Sequence, residues 1–335
     1  MMPAQKENLI LRETEPELRI KSGEDILLWQ KNARKKLSVL LGLENFKEAS
    51  LKLDIEYEKE YADFFETRFT FQSEEGLFVP CHFLRPKKAD KKAPVIICLQ
   101  GHSTGMHISL GVAKFEGDEK TIAGDRDFCL QAVENGFCCV AMEQRGFGEL
   151  GGTPETQCAD IAFSALLTGR TILGARVWDI KRLIDVLETE FSSVCDTDRI
   201  YCMGNSGGGT ATFYAAALEE RIKGAMPSCS FCTFVDSIGE IRHCSCNFVP
   251  GIARFFDMAE IAGMISPRPL VIVSGEKDSI FPITPAKEEF ARLKNLYYKE
   301  KQISGKCYHF IGGEGHRFYK GAWEIFNNLT DEKSL

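Results

Sequence analysis

Short apolar runs recur from Pro94 onward: "VIICLQ", "GFCCVAME", "RIYCMG", "KGAMPS", "PLVIVSG" and "CYHFIGG". Segments with apolar residues at helical spacing separate them. A strand with one face in water alternates apolar and polar residues, whereas a strand apolar throughout is covered on both faces. Such strands alternating with helices imply a parallel sheet between two helical layers. Before Pro94 the pattern differs. "LKLDIEY", "TRFTFQS" and "GLFVPCHFL" alternate, and read as antiparallel strands. Earlier still, "EDILLWQKNARKKLSVLLGL" carries a helical stripe. We therefore expect residues 1–50 to be a helical extension packed on the core and residues 51–335 to form a single α/β domain. Its central sheet should be mostly parallel, with helices on both faces and antiparallel strands at its N-terminal side. "DIAFSALLTGRTILGARVWDIKRLIDVLETE" should be a helix or helix pair. The stretch at about 229–267 is longer than an ordinary strand-to-helix connection and reads as a cap-like insertion near the catalytic edge.

Composition excludes several classes of function. The net charge of −7 over 335 residues argues against a nucleic-acid footprint. The densest basic run, "KKADKK" at Lys87–Lys92, is short and reads as a solvated loop. No apolar segment is long enough to span a bilayer, and the first residues lack the basic and apolar regions of a signal peptide. The 13 cysteines are odd in number, and several sit inside apolar runs. They read as small core hydrophobes in a reducing cytoplasm rather than as a disulfide framework.

The sharpest local feature is "IYCMGNSGGGTATFYAAALEE", where an apolar strand meets a small-residue helix. Gly204-Asn205-Ser206-Gly207-Gly208 places one hydroxyl at that junction, the setting of a nucleophile elbow. Small residues are needed on either side because strand and helix pass close together. The turn would hold the Ser206 hydroxyl out at the carboxyl end of the sheet and aim the Gly207 amide at the same point. A serine needs a base. In the chain order serine, acid, histidine, His316 in "GEGHRF" follows the last strand, and Asp278 follows the preceding one. Glu276 competes with Asp278 for the acid role. His309 lies within the strand run and reads as a sheet residue. The second oxyanion donor is expected in "LQGHSTG", where Gly101 admits close approach and the His102 amide donates. His107, Phe231, Phe234, His243 and Phe248 are weaker candidates for the substrate pocket.

Together "LQGHSTG", "EQRGFGE", "GRTILGARVWDIKRLIDVL", "GNSGGG", "ISPRPLVIVSGEKDSIFPI" and "GEGHRF" resemble the α/β-hydrolase superfamily, nearest its acetyl xylan esterase and dienelactone-hydrolase-related branch. The resemblance runs from about Asp63 to the C-terminus. It implies the α/β-hydrolase fold and a serine hydrolase with Ser206, Asp278 and His316 as its triad. Gly207 stands where cephalosporin-C deacetylases carry glutamine, and Ser206 where dienelactone hydrolase carries cysteine.

Two weaker signals remain. "CSFC" at Cys229–Cys232 and "HCSC" at His243–Cys246 contain metal-ligand types, but their spacings do not match common zinc modules. We assign no metal and no cofactor from sequence. Glu143, Arg145 and Glu149 could bind substrate or pin a buried turn, and the second reading is favoured. The expected activity is hydrolysis of a small-molecule carboxylic ester, with short acyl or sugar acetyl esters as substrates. A serine peptidase of the same fold and a non-catalytic binding protein on a hydrolase scaffold are the alternatives.

Overall fold

The structure is a computed structural model that describes residues 1–335 apart from 22, 89–91, 152–156 and 332–335, and only the backbone of 157 and 301. Part of the basic run at Lys87–Lys92 thus lies outside the described residues.

Two helices come first, α1 (Pro3–Glu13) and α2 (Ile26–Leu41). Asp25 caps α2, its carboxylate accepting from the amides of Leu27 and Leu28 at 2.8 and 3.1 Å. The stripe Trp29, Ala33, Leu37 and Leu41 is buried in the main core. Next come β1 (Asp54–Glu60), β2 (Phe64–Glu74) and β3 (Leu77–Pro86), an antiparallel meander.

The rest alternates. β4 (Pro94–Leu99) leads through α3 (Asp118–Thr121) and α4 (Phe128–Glu134) to β5 (Cys138–Met142). The helix pair α5 (Gln157–Leu166) and α6 (Ile172–Val186) precedes β6 (Asp196–Asn205). Then follow α7 (Gly207–Leu218), β7 (Ile222–Ser228), α8 (Met258–Gly263), β8 (Leu270–Gly275), α9 (Ile283–Tyr297), α10 (Lys301–Ser304), β9 (Cys307–Gly312) and α11 (Ala322–Thr330). Among the described residues this makes one nine-stranded sheet in the order β1-β2-β3-β5-β4-β6-β7-β8-β9. β5 is the seam, antiparallel to β3 and parallel to β4. From β5 across to β9 all pairings are parallel.

The apolar runs are explained by this arrangement. Val95, Ile97 and Leu99 of β4 face one core, while Ile96 and Cys98 face a second core on the other side of the sheet. α2, α6, α7 and α8 cover the first face, and α4 and α11 the second. Among the described residues no helix is long and apolar enough to cross a membrane.

The turn after β5 settles the role of Arg145. Its guanidinium donates to both oxygens of Asp179 at 2.8 and 2.6 Å and to Glu74 at 2.6 Å. Glu149 pairs with Arg68 at 2.6 Å. These charges pin the turn to β2 and α6. Asp179 is wholly buried, so losing its partner would leave a bare charge in a low dielectric. Arg145→Met should therefore cost about 3–5 kcal/mol of stability. Adding Asp179→Asn should recover much of it. Urea unfolding of the two variants checks this, and a stable Arg145→Met would contradict it.

Candidate active site

β6 ends on Asn205, and α7 begins at Gly207. The whole reversal falls on Ser206, at φ 57° and ψ −124°. A non-glycine residue there is strained. The Ser206 amide donates to the Ser228 carbonyl of β7 at 2.8 Å, and the Ser206 carbonyl accepts from the Thr210 amide at 2.8 Å. Both bonds lock the turn. The helix crosses β4 so closely that a β-carbon at Gly208 would lie 2.2 Å from the Leu99 carbonyl oxygen. Gly101 presses on the turn from the other side, since a β-carbon there would lie 2.7 Å from that of Ser206. The loop carrying His102 is thereby seated against the serine. The Gly207 amide belongs to the first turn of α7, whose N–H groups have no partner within the helix.

The loops after β8 and β9, which carry the candidate acid and base, meet each other. His316 Nδ1 and Asp278 Oδ2 are 2.8 Å apart. Asp278 Oδ1 also accepts from the amides of Ile280 and Phe281 at 2.8 and 3.1 Å. Burial opposes ionisation of Asp278, but the His316 bond and these two amides outweigh it and hold the carboxyl below its ordinary value. The loops are also joined through backbone, Glu276 N to Gly312 O at 2.7 Å and Lys277 N to Glu314 O at 2.9 Å. Asp278 is buried, whereas Glu276 is exposed. Of the two candidate acids, only Asp278 meets the histidine.

Ser228 links both halves. It receives the Ser206 amide, and its hydroxyl reaches Asn205 Oδ1 at 2.9 Å and the Arg317 carbonyl at 3.4 Å. Among the described residues the Ser206 hydroxyl forms no hydrogen bond to His316. Such bonds are often long before substrate arrives and tighten in the reacting complex.

The other histidines divide by environment. His309 bonds Ser274 Oγ at 2.9 Å in the sheet, and burial pushes it down to about 4. His82 is held by Glu66 at 2.6 Å. His107, expected near the pocket, is buried and tied to Asp118 at 2.9 Å. It braces its loop instead. Beneath the same loop, Glu143 accepts from the amides of Met106 and Glu149, both at 3.2 Å, and burial pushes it up to about 7.

The stretch 229–267, expected to be an insertion, contains short turns and α8, with no strand among its described residues. It opens a cleft of about 660 Å³ against α5, lined by Phe163, Leu166, Arg242, His243 and Phe248 among others. The lining stops short of Ser206. His243 connects it to the dyad, edge-on to Phe281, which in turn stacks on His316. Burial lowers the His243 pKa. Of the expected pocket residues, His243 and Phe248 reach this cleft. Phe231 does not: it is fully buried in the main core, edge-on to Phe213. Phe234 lines a separate groove beside α1. Apolar crowding in the sequence could not separate core phenylalanines from cleft ones.

Two sets of donor atoms among the described residues lie close enough to share a cation. In Cys229–Asp278–His316, the carboxylate and the imidazole are already bonded to each other. The second set, His102, Cys158, Cys244 and Cys246, joins three distant segments. Cys158 carried no sequence signal, since it stands alone in a helical run. Cys229 and Cys232 are not part of this set.

Known proteins bear on this geometry. Over 244 residues the chain is 28% identical to YtaP of Bacillus subtilis (strain 168), a provisionally named hydrolase, covering 71% of this chain and 77% of that protein. A provisionally assigned acetyl xylan esterase from Bacteroides fragilis NCTC 9343 superposes with a TM-score of 0.75 at 16% identity, over 93% of this chain and 82% of that one. A glucuronoyl esterase from Solibacter usitatus superposes with a TM-score of 0.66 at 15% identity, over 95% and 98%. These likenesses show the α/β-hydrolase fold. Residues 40–258, which include Ser206, match the acetyl xylan esterase (AXE1) family. The chain belongs to the acetyl xylan esterase family and is a carboxylic ester hydrolase.

Proposed function

We propose that this protein hydrolyses short acyl or sugar acetyl esters through an acyl-enzyme on Ser206. The observation that carries the reading is the His316–Asp278 bond, tied to the strained Ser206 turn through Ser228, which accepts from the Ser206 amide and whose hydroxyl reaches the carbonyl of Arg317, next to His316. With Nδ1 engaged by Asp278, the imidazole has Nε2 available as a base toward the serine. Ser206 Oγ attacks the ester carbonyl while His316 takes its proton. Asp278 holds the useful tautomer and stabilises the imidazolium. The amides of Gly207 and His102 receive the oxyanion. His316 then returns the proton to the departing alcohol. It next deprotonates a water, which releases the acid. No step calls on a cofactor. The family membership and the sugar-ester names of the structural neighbours support the substrate class.

The test is kcat/KM on p-nitrophenyl acetate and on acetylated xylo-oligosaccharides. Ser206→Ala should abolish turnover of both without unfolding. Asp278→Asn should lose up to about 10⁴-fold, by analogy with the tautomer effect in serine proteases. Glu276→Gln should lose little. The reverse ranking of these two would move the acid role to Glu276.

Acidity gives an independent check. Asp278 is held below the ordinary carboxylate range, so its own protonation does not contribute to the loss of activity just below neutral pH. The acid limb of kcat/KM should therefore have the slope of one proton. For stability the sign is the same as for other depressed carboxylates. The contribution of Asp278 is present above the unfolded value and fades as pH falls through the folded one. An acid limb with the slope of two protons would contradict this assignment.

The cleft makes a specificity prediction. Phe248 is 49% exposed at its wall, so Phe248→Ala should alter kcat/KM for longer acyl chains more than for acetate. An unchanged chain-length profile would show that the cleft does not receive the acyl group.

A further inference from the structure

We propose that His102, Cys158, Cys244 and Cys246 form a Cys3His zinc site that ties the loop after β4 to α5 and to the insertion. Their donor atoms all lie within 4.8 Å of one another. Cys246 Sγ and His102 Nε2 are 3.4 Å apart. A tetrahedral zinc with ordinary Zn–S and Zn–N bonds separates its ligands by roughly 3.5–3.8 Å, so small rotations of these side chains suffice. Cys158 and Cys246 are buried, and all thirteen cysteines of the chain are free thiols. Three sulfurs with one imidazole are a donor set that selects a soft or borderline cation such as zinc.

A second observation comes from Arg176. It is 1% exposed, and among the described residues it has no carboxylate partner. Its guanidinium donates to Cys158 Sγ at 3.3 Å and to the Arg145 carbonyl at 3.0 and 2.9 Å, and lies 4.0 Å from the Phe147 ring centre. A buried cation needs an anion nearby. Zinc with three thiolates carries one net negative charge, and Arg176 would neutralise it. It would also orient Cys158, the usual work of groups just outside a metal's ligand set.

Loading is an exchange of protons for metal. Each thiol gives its proton to solvent as its sulfur binds, and His102 binds as neutral imidazole through Nε2. The other ring nitrogen of His102 faces the start of α7, 3.5 Å from where a Gly207 β-carbon would stand. The metal would thus fix the loop beside Ser206 and close the insertion over α5. Its service to the ester chemistry rests on the function proposed above. The metal content does not, so the two can fail separately.

The test uses the full chain without an affinity tag, purified without chelator. Elemental analysis should find about one zinc per chain. Chelator-stripped protein titrated with Co2+ should develop thiolate-to-cobalt charge transfer and tetrahedral visible bands, saturating near one equivalent. Adding zinc back should raise Tm. Cys158→Ser/Cys246→Ser should lose zinc and the cobalt spectrum, while Cys232→Ser keeps both. The cobalt titration of the unaltered chain decides the matter even if the double variant fails to fold. Protein without zinc that also binds no cobalt would overturn the proposal, whether its thiols titrate in full or two are missing to a disulfide. So would a cobalt spectrum lacking thiolate bands, or zinc retained by the double variant.

Discussion

One residue, Ser206, reverses the chain from β6 into α7, and it does so in a conformation that costs on the order of 1–3 kcal/mol. The surroundings hold it there. β6 lies between β4 and β7 in the parallel sheet, so its end cannot relax sideways. The Ser228 carbonyl fixes the serine amide from one side, and Gly101 abuts it from the other. The helix cannot retreat, because Phe213, Ala215, Ala216 and Ala217 are wholly buried. The sheet therefore acts as a rigid support for this strained turn, and we propose that the loops at the carboxyl ends of β4, β8 and β9 are built around it.

Those loops are held by buried polar side chains and backbone donors rather than by apolar packing alone. Glu143 gathers amides from the loop after β4 and from the turn after β5. Arg145 joins that turn to α6 and β2. Asp278 has every carboxylate oxygen engaged, by His316 on one side and two amides on the other. Each group is fully partnered, so the polar network specifies one geometry instead of leaving several.

Much of this was legible in the sequence. Every strand of the sheet overlaps a run recognised by its apolar or alternating pattern, and from β2 to β8 this is because burial on two faces or one writes directly into residue order, whereas β1 is almost wholly exposed. The elbow was legible for the same reason: close approach of backbones admits only small residues at 204, 208 and 101. Which of the two candidate acids meets His316 was less so. Both Glu276 and Asp278 follow β8, and only the three-dimensional turn buries one and exposes the other. The phenylalanines of the insertion were not separable at all. Phe231 and Phe248 have the same chemistry, and what distinguishes them is which way an irregular connection turns. Nor could sequence assemble His102, Cys158, Cys244 and Cys246, which meet only after α5 packs on the insertion.

The central claim is that Ser206 is the nucleophile. Its most direct test is to treat the active protein with a fluorophosphonate, then measure the intact mass and map the modified peptide. A single phosphonyl adduct is expected, on Ser206, with ester turnover lost in proportion to labelling. An adduct on another residue, or full turnover in protein fully labelled at Ser206, would contradict it.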